Sequence, residues 1–300
     1  MSSVPTPVIR SAALIGKYRS PDVAESVITL ANFLFKQGVD VRVEEGTAAA
    51  TGLKDFPTVS YTAIASRCIT VDVAIVVGGD GTFLNAARQL TASNVPLVGV
   101  NQGRLGFMTD ISREGMMESM ADLLAGKFHR EERFLLKADL VRDGKVQACN
   151  LALNDVVLSK GDAGRMIEFE LRLDGEFIYV LRADGMIVAT PTGSTAYALS
   201  ANGPILHPQV DGIAIVPLCP HGLSYRPISI NANSVIELKL LHPHDALLHF
   251  DGQEHLDACA GDSLVIRRAE QNVVFLHPPG YSYFAMLREK LQWSATPKRS

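Results

Sequence analysis

Disulfide, membrane and secretion signatures are all missing from this 300-residue sequence. No apolar run approaches the ~18 residues of a membrane-spanning helix, and the N-terminus lacks a continuous apolar core of signal-peptide length. Four cysteines lie far apart without a Cys-x-x-Cys pair, so we expect reduced thiols among the small core residues. They are Cys68, Cys149, Cys219 and Cys259. These absences predict a globular, cytoplasmic protein with no membrane partner.

A strong charge of either sign is missing as well. Lysine and arginine number 28 against 32 aspartates and glutamates, which gives a formal net charge of −4. A chain without a positive excess has no broad electrostatic attraction for nucleic acid, so no such partner is expected. Any anionic ligand must therefore be held by a local site. Hydrophobic residues make up 47% of the chain, enough for a sizeable core in one or two domains.

Three familiar active-site signatures are not found. The glycine-rich run that ends in Gly-Lys-Ser/Thr is absent, which excludes a Walker-type nucleotidase. His242 and His244 stand two residues apart, but no HExxH or Cys/His spacing accompanies them, so no metal ligands from the protein are predicted. Around Ser194 the nucleophile-elbow pattern fails because Ala196 replaces its final glycine, which disfavours a hydrolase.

The most informative stretch that is present, residues 71–82, reads VDVAIVVGGDGT. Its apolar, β-branched part predicts a strand buried on both faces, and the FLNAARQL that follows has the spacing of a helix. A strand, glycine turn and helix in succession are typical of a phosphate-binding loop, because small residues let backbone N–H groups reach the oxygens at a helix N-terminus. The predicted phosphate loop comprises Gly78, Gly79, Gly81 and Thr82.

Asp80 lies in the middle of this loop and needs an explanation, because a carboxylate repels phosphate. It could accept a proton from an attacking hydroxyl, or it could hold a metal ion that carries the phosphates. A third interpretation is an aspartate that merely caps the following helix. The loop alone leaves all three open.

The first half of the chain alternates strands with helices. Strands are predicted near 11–15, 39–43, 71–77 and 95–101, with helices at 22–37, 83–90 and 114–125. Repeated β-α-β units predict a Rossmann-like α/β domain with a parallel sheet, over residues 1–128. Ligands of such sheets bind beyond the carboxyl ends of the strands, where the glycine loop lies.

The second half changes to antiparallel β patterning. Alternating strands surround two Asp-Gly hairpin turns, at 143–144 and 174–175, and further strands follow, the last two at 263–268 and 273–276. We predict an all-β antiparallel sandwich over residues 129–277, with the charged residues 130–133 as a solvated domain boundary. A helix at 282–293, within the tail 278–300, is expected to pack back onto the first domain.

A second unusual segment, residues 182–200, reads RADGMIVATPTGSTAYALS. Its TPTGST is improbable as a plain strand, and its hydroxyls and exposed N–H groups suit a polar ligand. Tyr197 could stack on a base or ring. The alternative is a hydroxyl-rich turn that only caps a helix.

Taken together, these motifs resemble the NAD kinase family, in its bacterial ATP-NAD kinase form. The resemblance rests on GGDGT at 78–82, RLGFMTD at 104–110, LNDVV at 153–157 and DGMIVATPTGSTAYALSANGP at 184–204. It implies ATP-dependent phosphorylation of the 2′-hydroxyl of the adenosine ribose of NAD, giving NADP. It also implies Mg²⁺ or Mn²⁺ arriving with ATP, and a homodimer or homotetramer in which neighbouring subunits often complete the NAD site.

The resemblance carries roles onto particular residues. Asp80 falls at the position of the family's proposed base. The NAD-binding positions fall on Asp80, Gly81, Asn154, Asp155, Arg165, Arg182, Asp184, Thr195, Ala196, Tyr197, Ser200 and Gln253. Two departures are visible: Asp155 is shorter than the glutamate of many members, and Ala201-Asn202 precede Gly203-Pro204 where a Gly-Gly pair is common.

Two other functions remain to be weighed. Diacylglycerol and sphingosine kinases also carry GGDGT, so a lipid kinase is possible, although it leaves TPTGSTAY without a role. A non-catalytic NAD(P) sensor on the same scaffold would bind the dinucleotide without turnover. The intact Asp80 argues against a sensor, which has no need of a base.

Overall fold

The computed structural model describes residues 9–17, 20–161, 165–241 and 246–293. The chain divides into two compact units, residues 1–132 with 273–300 (unit 1) and residues 133–272 (unit 2). The expected boundaries at 128/129 and 277/278 stay predictions. Within the described ranges, no helix is long and apolar enough to cross a membrane.

Unit 1 begins with alternating strands and helices. Its strands are β1 (Ser11–Gly16), β2 (Asp40–Glu44), β3 (Thr58–Val59), β4 (Val73–Val77) and β5 (Leu97–Val100). Its first five helices are α1 (Pro21–Lys36), α2 (Glu45–Thr51), α3 (Tyr61–Ala65), α4 (Asp80–Leu90) and α5 (Met116–Leu124).

These five strands form a parallel sheet in the order β3-β2-β1-β4-β5. Every residue of β4 is buried, as the unbroken VAIVV run predicts for a strand covered on both faces. The predicted α/β domain with a parallel sheet is confirmed. The strand order reverses between β1 and β4, and in such sheets this switch point is where ligands bind.

Unit 2 consists almost entirely of strands. They are β6 (His129–Arg142), β7 (Lys145–Ala152), β8 (Asp155–Lys160), β9 (Ile167–Leu173), β10 (Glu176–Ala183), β11 (Gly185–Ala189), β12 (Gly212–Leu218), β13 (Ile228–Asn231), β14 (Ile236–Leu240), β15 (Ala246–Phe250), β16 (Glu254–Ala258) and β17 (Ser263–His277). Its helix α6 (Tyr197–Ser200) is a single turn after a short 3₁₀ turn, Gly193–Thr195. The last helix of the chain, α7 (Tyr283–Leu291), belongs to unit 1.

The strands of unit 2 form two layers. One is the six-stranded antiparallel sheet β13-β12-β11-β8-β15-β16, and the other contains β10-β9-β14-β17 with the β6–β7 hairpin. Side chains from both layers meet in one apolar core, which includes Phe169, Leu238, Met186 and Leu248. The predicted antiparallel sandwich is confirmed. Both predicted Asp-Gly turns have positive φ at Asp and Gly, as two-residue hairpin turns of this type require.

The end of the chain returns to unit 1. The strands predicted at 263–268 and 273–276 are one continuous strand, β17, whose Phe275 pairs in parallel register with Leu97 of β5. Helix α7 follows and buries Tyr283, Met286 and Leu287. Its Lys290 Nζ lies 5.7 Å from the centre of the Phe107 ring. The expectation that the last helix packs back on the first domain is confirmed.

Two expectations about burial are wrong. All four cysteines are free but exposed, so they are not core residues. The expectation that residues 130–133 are all solvated is wrong for two of them, because β6 already begins at His129 and the strand alternation turns every second side chain inward. Glu131 and Arg133 are therefore buried, while Arg130 and Glu132 are exposed.

Candidate functional site

Unit 1 contains a cavity at its topological switch point. The cavity has a volume of about 330 Å³ and is lined by Gly16, Lys17, Tyr61, Gly79, Gly81, Thr82 and Asn85. Gly16 and Lys17 stand at the carboxyl end of β1, and the glycine loop follows β4. Three of the four predicted phosphate-loop residues thus line one cavity, beside a lysine that the sequence reasoning missed. The signal for Lys17 was its place directly after a strand of a parallel sheet.

Glycines 78, 79 and 81 serve this loop differently. A Cβ added at Gly78 would come within 2.8 Å of Thr82 Oγ1, so the absence of a side chain lets Thr82 fold back over the strand end. A Cβ at Gly79 or Gly81 would meet no atom within 4 Å. Because these two glycines have no side chain and face open space, a polar ligand can approach their backbone closely.

Asp80 is the first residue of α4 and is not its N-cap, which is Gly79. Its carboxylate accepts hydrogen bonds from the loop after β5 instead. Oδ2 accepts from the backbone N–H of Phe107 at 2.9 Å, while Oδ1 accepts from the N–H of Met108 at 3.0 Å and the hydroxyl of Thr109 at 3.3 Å. Three donors from one short loop therefore fix the orientation of the half-buried carboxylate.

Glycines also permit this approach of the 106–109 loop. A Cβ at Gly106 would overlap both Asp80 Oδ1 and Thr109 Oγ1, and a Cβ at Gly99 of β5 would overlap the carbonyl oxygen of Met108. The amide of Asn101 donates to the carbonyl of Thr109 at 3.1 Å and ties the loop to the strand end. Residues 106–109 of the RLGFMTD motif thus form a binding loop for the Asp80 carboxylate, called here the cradle of Asp80.

Unit 2 contains a second cavity of about 390 Å³. It is lined by Asn154, Asp155, Val157, Ser159, Ala196, Tyr197, His249, Asp251 and Gly252. These residues come from β8 with the turn before it, from the start of α6, and from β15 with the β15–β16 turn. Four of the predicted NAD-binding residues, Asn154, Asp155, Ala196 and Tyr197, are brought together here.

Asp251 holds the turn that carries Asn154 and Asp155. Its Oδ1 accepts from the N–H of Asn154 at 2.7 Å and from the N–H of Asp155 at 3.2 Å, and its Oδ2 accepts from the N–H of Leu153 at 2.9 Å. Asp251 and Gly252 both have positive φ, 54° and 63°, and Gln253 N–H closes the turn by donating to the carbonyl of Phe250 at 3.0 Å. Sequence reasoning singled out the neighbouring Gln253 and missed Asp251, although the Asp-Gly pair marked the turn.

Asn154 and Asp155 present polar atoms to this cavity. Asn154 is 8% exposed, and its Oδ1 is buried without a hydrogen-bond partner among the described residues. Asp155 is 4% exposed, and burial, reinforced by the negative charge of Asp251, raises the pKa of its carboxyl to about 7. A buried unpaired acceptor beside a titratable carboxyl favours a ligand with hydroxyl or amide donors.

The TPTGST segment supports the same turn from the other side. Thr190 donates its hydroxyl to the carbonyl of Leu153 at 2.5 Å, and a Cβ at Gly193 would overlap the backbone of Asn154. Ser194 is fully buried, donates to Pro191 O at 2.6 Å and accepts from Leu206 N at 2.9 Å. Part of the hydroxyl content is therefore structural, and Ser194 is not placed as a nucleophile.

Eight predicted NAD-binding residues lie outside the lining of this cavity: Asp80 and Gly81 belong to unit 1, and the other six belong to unit 2. Arg165, Arg182, Ser200 and Gln253 are exposed. Asp184 pairs with Lys160, its Oδ1 lying 2.8 Å from the ammonium nitrogen. Thr195 donates its hydroxyl to the carbonyl of Thr192 at 3.2 Å. Their roles stay predictions.

Two further residues of the cavity lining, His249 and Ser159, were not predicted from the sequence. His249 Nε2 lies 3.0 Å from Ser159 Oγ, and burial, with the neighbouring His255, lowers the pKa of the His249 imidazole. The histidines at 242 and 244 lie outside the described residues. Within the described part of the chain, no group of three or more His, Cys, Asp or Glu side chains is arranged to hold a metal ion.

Comparison with protein families and curated proteins gives a consistent result. The ATP-NAD kinase N-terminal domain matches residues 13–128, and the ATP-NAD kinase C-terminal domain matches residues 153–277. The NAD kinase of Aromatoleum aromaticum is 58% identical over 97% of this chain and 96% of its own length. That of Thiobacillus denitrificans is 48% identical over 94% of this chain and 97% of its own.

Solved structures share the fold. The yeast NADH kinase complexed with NADH has a TM-score of 0.88 over 97% of this chain and 90% of its own, at 23% identity. An NAD kinase from Archaeoglobus fulgidus in complex with ATP has a TM-score of 0.74 over 94% of this chain and 98% of its own, at 26% identity. With both family domains matched and relatives similar over nearly its whole length, the chain belongs to the ATP-NAD kinase family, and it is an NAD kinase enzyme that forms NADP with ATP.

Proposed function

We propose that Asp80 is the general base that activates the 2′-hydroxyl of the adenosine ribose of NAD for attack on the γ-phosphorus of ATP. The observation that carries this proposal is the cradle of Asp80: three donors from residues 107–109 fix a carboxylate next to the glycine loop. A capping aspartate would bond to the amides of its own helix. This one bonds to a distant loop, which suits a group whose position matters.

The proton and the phosphoryl group move in one balanced step. As the ribose oxygen forms its bond to the γ-phosphorus, the bond from phosphorus to the β-phosphate oxygen breaks and ADP leaves. The hydroxyl proton passes to the Asp80 carboxylate. Phosphoryl transfer has a loose transition state, so an aspartate is a strong enough base, and positioning supplies most of the acceleration.

The donor would place its phosphates at the cavity of unit 1. Bare backbone at Gly79 and Gly81, the N-terminus of α4 and the ammonium group of Lys17 all favour negative charge there. The lining offers glycine, hydroxyl, amide and ammonium groups, so Mg²⁺ or Mn²⁺ would be held mainly by the ATP phosphates and water, with Thr82 and Asn85 as nearby oxygen donors. When bound, the cation neutralises the charge that develops on the transferred phosphoryl group.

NAD would engage the cavity of unit 2. The unpaired Oδ1 of Asn154 and the carboxyl of Asp155 suit ribose hydroxyls, and the half-exposed ring of Tyr197 suits a base or nicotinamide ring. Gly81 would contribute backbone to the same dinucleotide. Arg165, Arg182, Asp184, Thr195, Ser200 and Gln253 complete the set that the family resemblance assigns. These six residues lie outside the cavity lining. Some of them could instead contact NAD that is bound to a neighbouring subunit of a homodimer or homotetramer.

The test is NADP formation by the purified protein with NAD and ATP, followed with an NADP-specific dehydrogenase. We expect turnover that stops when divalent cations are chelated and resumes on adding Mg²⁺ or Mn²⁺. Binding of NAD without turnover would support the sensor and overturn the proposed mechanism, as would phosphorylation of diacylglycerol vesicles but not of NAD. Light scattering of the same sample tests the oligomeric state. A cytoplasmic location stays a prediction.

A further inference from the structure

A histidine is buried between two carboxylates near the end of β17. His277 is 2% exposed; its Nδ1 lies 2.7 Å from Asp110 Oδ2 and its Nε2 lies 3.1 Å from Glu131 Oε2. The ring of Tyr281 stacks on the imidazole with 3.7 Å between centroids and 7° between planes. The imidazole is thus held on both nitrogens and on one face. The mechanism described above uses none of these groups.

Asp110, one of the two carboxylates that flank His277, directly follows the 106–109 loop that binds Asp80. Asp110 is the next residue after Thr109, whose hydroxyl donates to Asp80 Oδ1. On one side of Asp110, Gly106 N–H donates to the carbonyl of Thr109 and closes the loop on itself. On the other side, Ile111 N–H donates to the carbonyl of Gly99 and ties the backbone to β5. A hydrogen bond that fixes the Asp110 side chain therefore also helps to fix the loop that orients Asp80.

The same strand reaches Asp80 by a second route. Phe275, two residues before His277, packs edge-to-face on Phe83 of α4 with 4.8 Å between ring centroids. Phe83 is three residues after Asp80 and fully buried. The end of β17 therefore contacts the helix that carries Asp80 through Phe275, and contacts the segment that grips Asp80 through His277.

We propose that His277 is a positioning residue for the phosphoryl transfer, and that it holds the 106–109 loop against Asp80 by donating a hydrogen bond from Nδ1 to Asp110. Glu131 fixes the other nitrogen and so sets the rotation of the ring. His277 touches neither substrate. Its contribution is to the orientation of the Asp80 carboxylate, and misplacement of a reacting group by about 1 Å can lower a rate about 10²-fold.

The protonation state of His277 supports this geometry. Burial lowers the pKa of the imidazole, but the hydrogen bonds with Asp110 and Glu131 outweigh it and raise the pKa above its ordinary value. A protonated imidazole donates from both nitrogens, and hydrogen bonds between charged groups are the stronger kind. Both carboxylates can therefore accept at once.

Two substitutions distinguish the hydrogen bond between His277 and Asp110 from the one between His277 and Glu131. The amide nitrogen of asparagine can take the place of Nδ1, so His277→Asn keeps a donor for Asp110 and loses the one for Glu131. The longer glutamine can take the place of Nε2, so His277→Gln does the reverse. Both variants lose the stacked ring, so that loss is common to the pair. Asp110→Ala, which removes the acceptor, tests the hydrogen bond between His277 and Asp110 from the other partner.

The measurement is the single-turnover rate of NADP formation, together with the Kd of NAD, for the full-length variants and the wild type. We expect the rate of His277→Gln and of Asp110→Ala to fall at least about 10-fold, that of His277→Asn to fall less than about 3-fold, and the Kd of NAD to change less than about 2-fold in all three. Equal rates for the two His277 variants, a slower His277→Asn, or a loss of affinity as large as the loss of rate overturns the proposal.

This inference rests on the proposed role of Asp80, and one more variant separates the two claims. If Asp80→Asn keeps the wild-type rate, the proposed base is wrong. If Asp80→Asn is inactive while the two His277 variants are equal, only the positioning role is wrong. Adding His277→Gln to Asp80→Asn should lower the residual rate by less than about 2-fold, because the group being oriented is already gone.

Discussion

Asp251 Oδ1 accepts a 2.7 Å hydrogen bond from the backbone N–H of Asn154, 97 residues away in the chain. The same carboxylate also accepts from the amides on either side, so one side chain determines the path of the turn that enters the unit 2 cavity. A similar arrangement holds Asp80 in unit 1, where the backbone amides of Phe107 and Met108 and the hydroxyl of Thr109 are the donors. In both units, an aspartate carboxylate bonded to a segment distant in the chain lies next to residues that line a cavity.

The three hydrogen bonds that Asp251 accepts from residues 153–155, called here the Asp251 clamp, give the first prediction. Asp251→Asn keeps the size and tolerates the positive φ, but its NH₂ group faces N–H donors and cannot accept from them. We expect the free energy of unfolding in urea to fall by about 2 kcal/mol and the KM for NAD to rise several-fold.

Asp143→Asn is the matched control, because Asp143 also opens an Asp-Gly turn with positive φ and is exposed. If Asp251→Asn behaves like Asp143→Asn in both measurements, the clamp has no energetic importance.

The raised pKa of Asp155 predicts how stability depends on pH. Its pKa is about 7 in the folded protein against 3.8 unfolded, so between those pH values the folded state binds the extra proton. Stability from this group therefore falls as pH rises, by at most about 1.4 kcal/mol per pH unit, and is lowest above pH 7. Relative to wild type, Asp155→Asn should gain stability steadily from pH 4 to pH 7 in urea titrations. A constant difference over that range would show that the pKa of Asp155 is not raised.

NAD binding should show the opposite trend. An ionised Asp155 accepts hydrogen bonds from ribose hydroxyls better than a protonated one, so the Kd of NAD should fall as pH rises from 6.5 to 8. The pKa of His249, also in the cavity lining, is lowered by burial and by the neighbouring His255. Calorimetric titration of Asp155→Asn should give a Kd that hardly changes with pH. A Kd that rises with pH in the wild type would contradict the assigned contact.

The close approach at Gly106 gives a prediction for unit 1. A Cβ there overlaps Asp80 Oδ1 and Thr109 Oγ1, so Gly106→Ala must displace the carboxylate or the loop. We expect kcat to fall about 10²-fold with little change in the Kd of NAD. Gly115→Ala is the control, because its Cβ would lie 3.2 Å from the hydroxyl of Ser112 and 4.0 Å from the Ser112 carbonyl oxygen, without overlap. Equal activity of the two variants would mean that the cradle does not orient Asp80.

Local patterns predicted most of the architecture but little of the support around the site. The VAIVV run, the apolar helix faces and the Asp-Gly turns each depend on neighbouring residues, and they gave the α/β unit and the sandwich. The bonds from residues 107–109 to Asp80 span nearly thirty positions, and no local pattern encodes them. The sequence predicted two strands, 263–268 and 273–276, yet β17 continues through the polar residues 270–272 between them.

The central claim is that Asp80 accepts the proton of the ribose hydroxyl, and the most direct measurement is the single-turnover rate of NADP formation by Asp80→Asn with NAD and ATP saturating. The account predicts a fall of at least about 10²-fold with a Kd of NAD within a few-fold of wild type. A variant that keeps most of the wild-type rate would show that Asp80 is a structural residue of the glycine loop and that the proton leaves by another path.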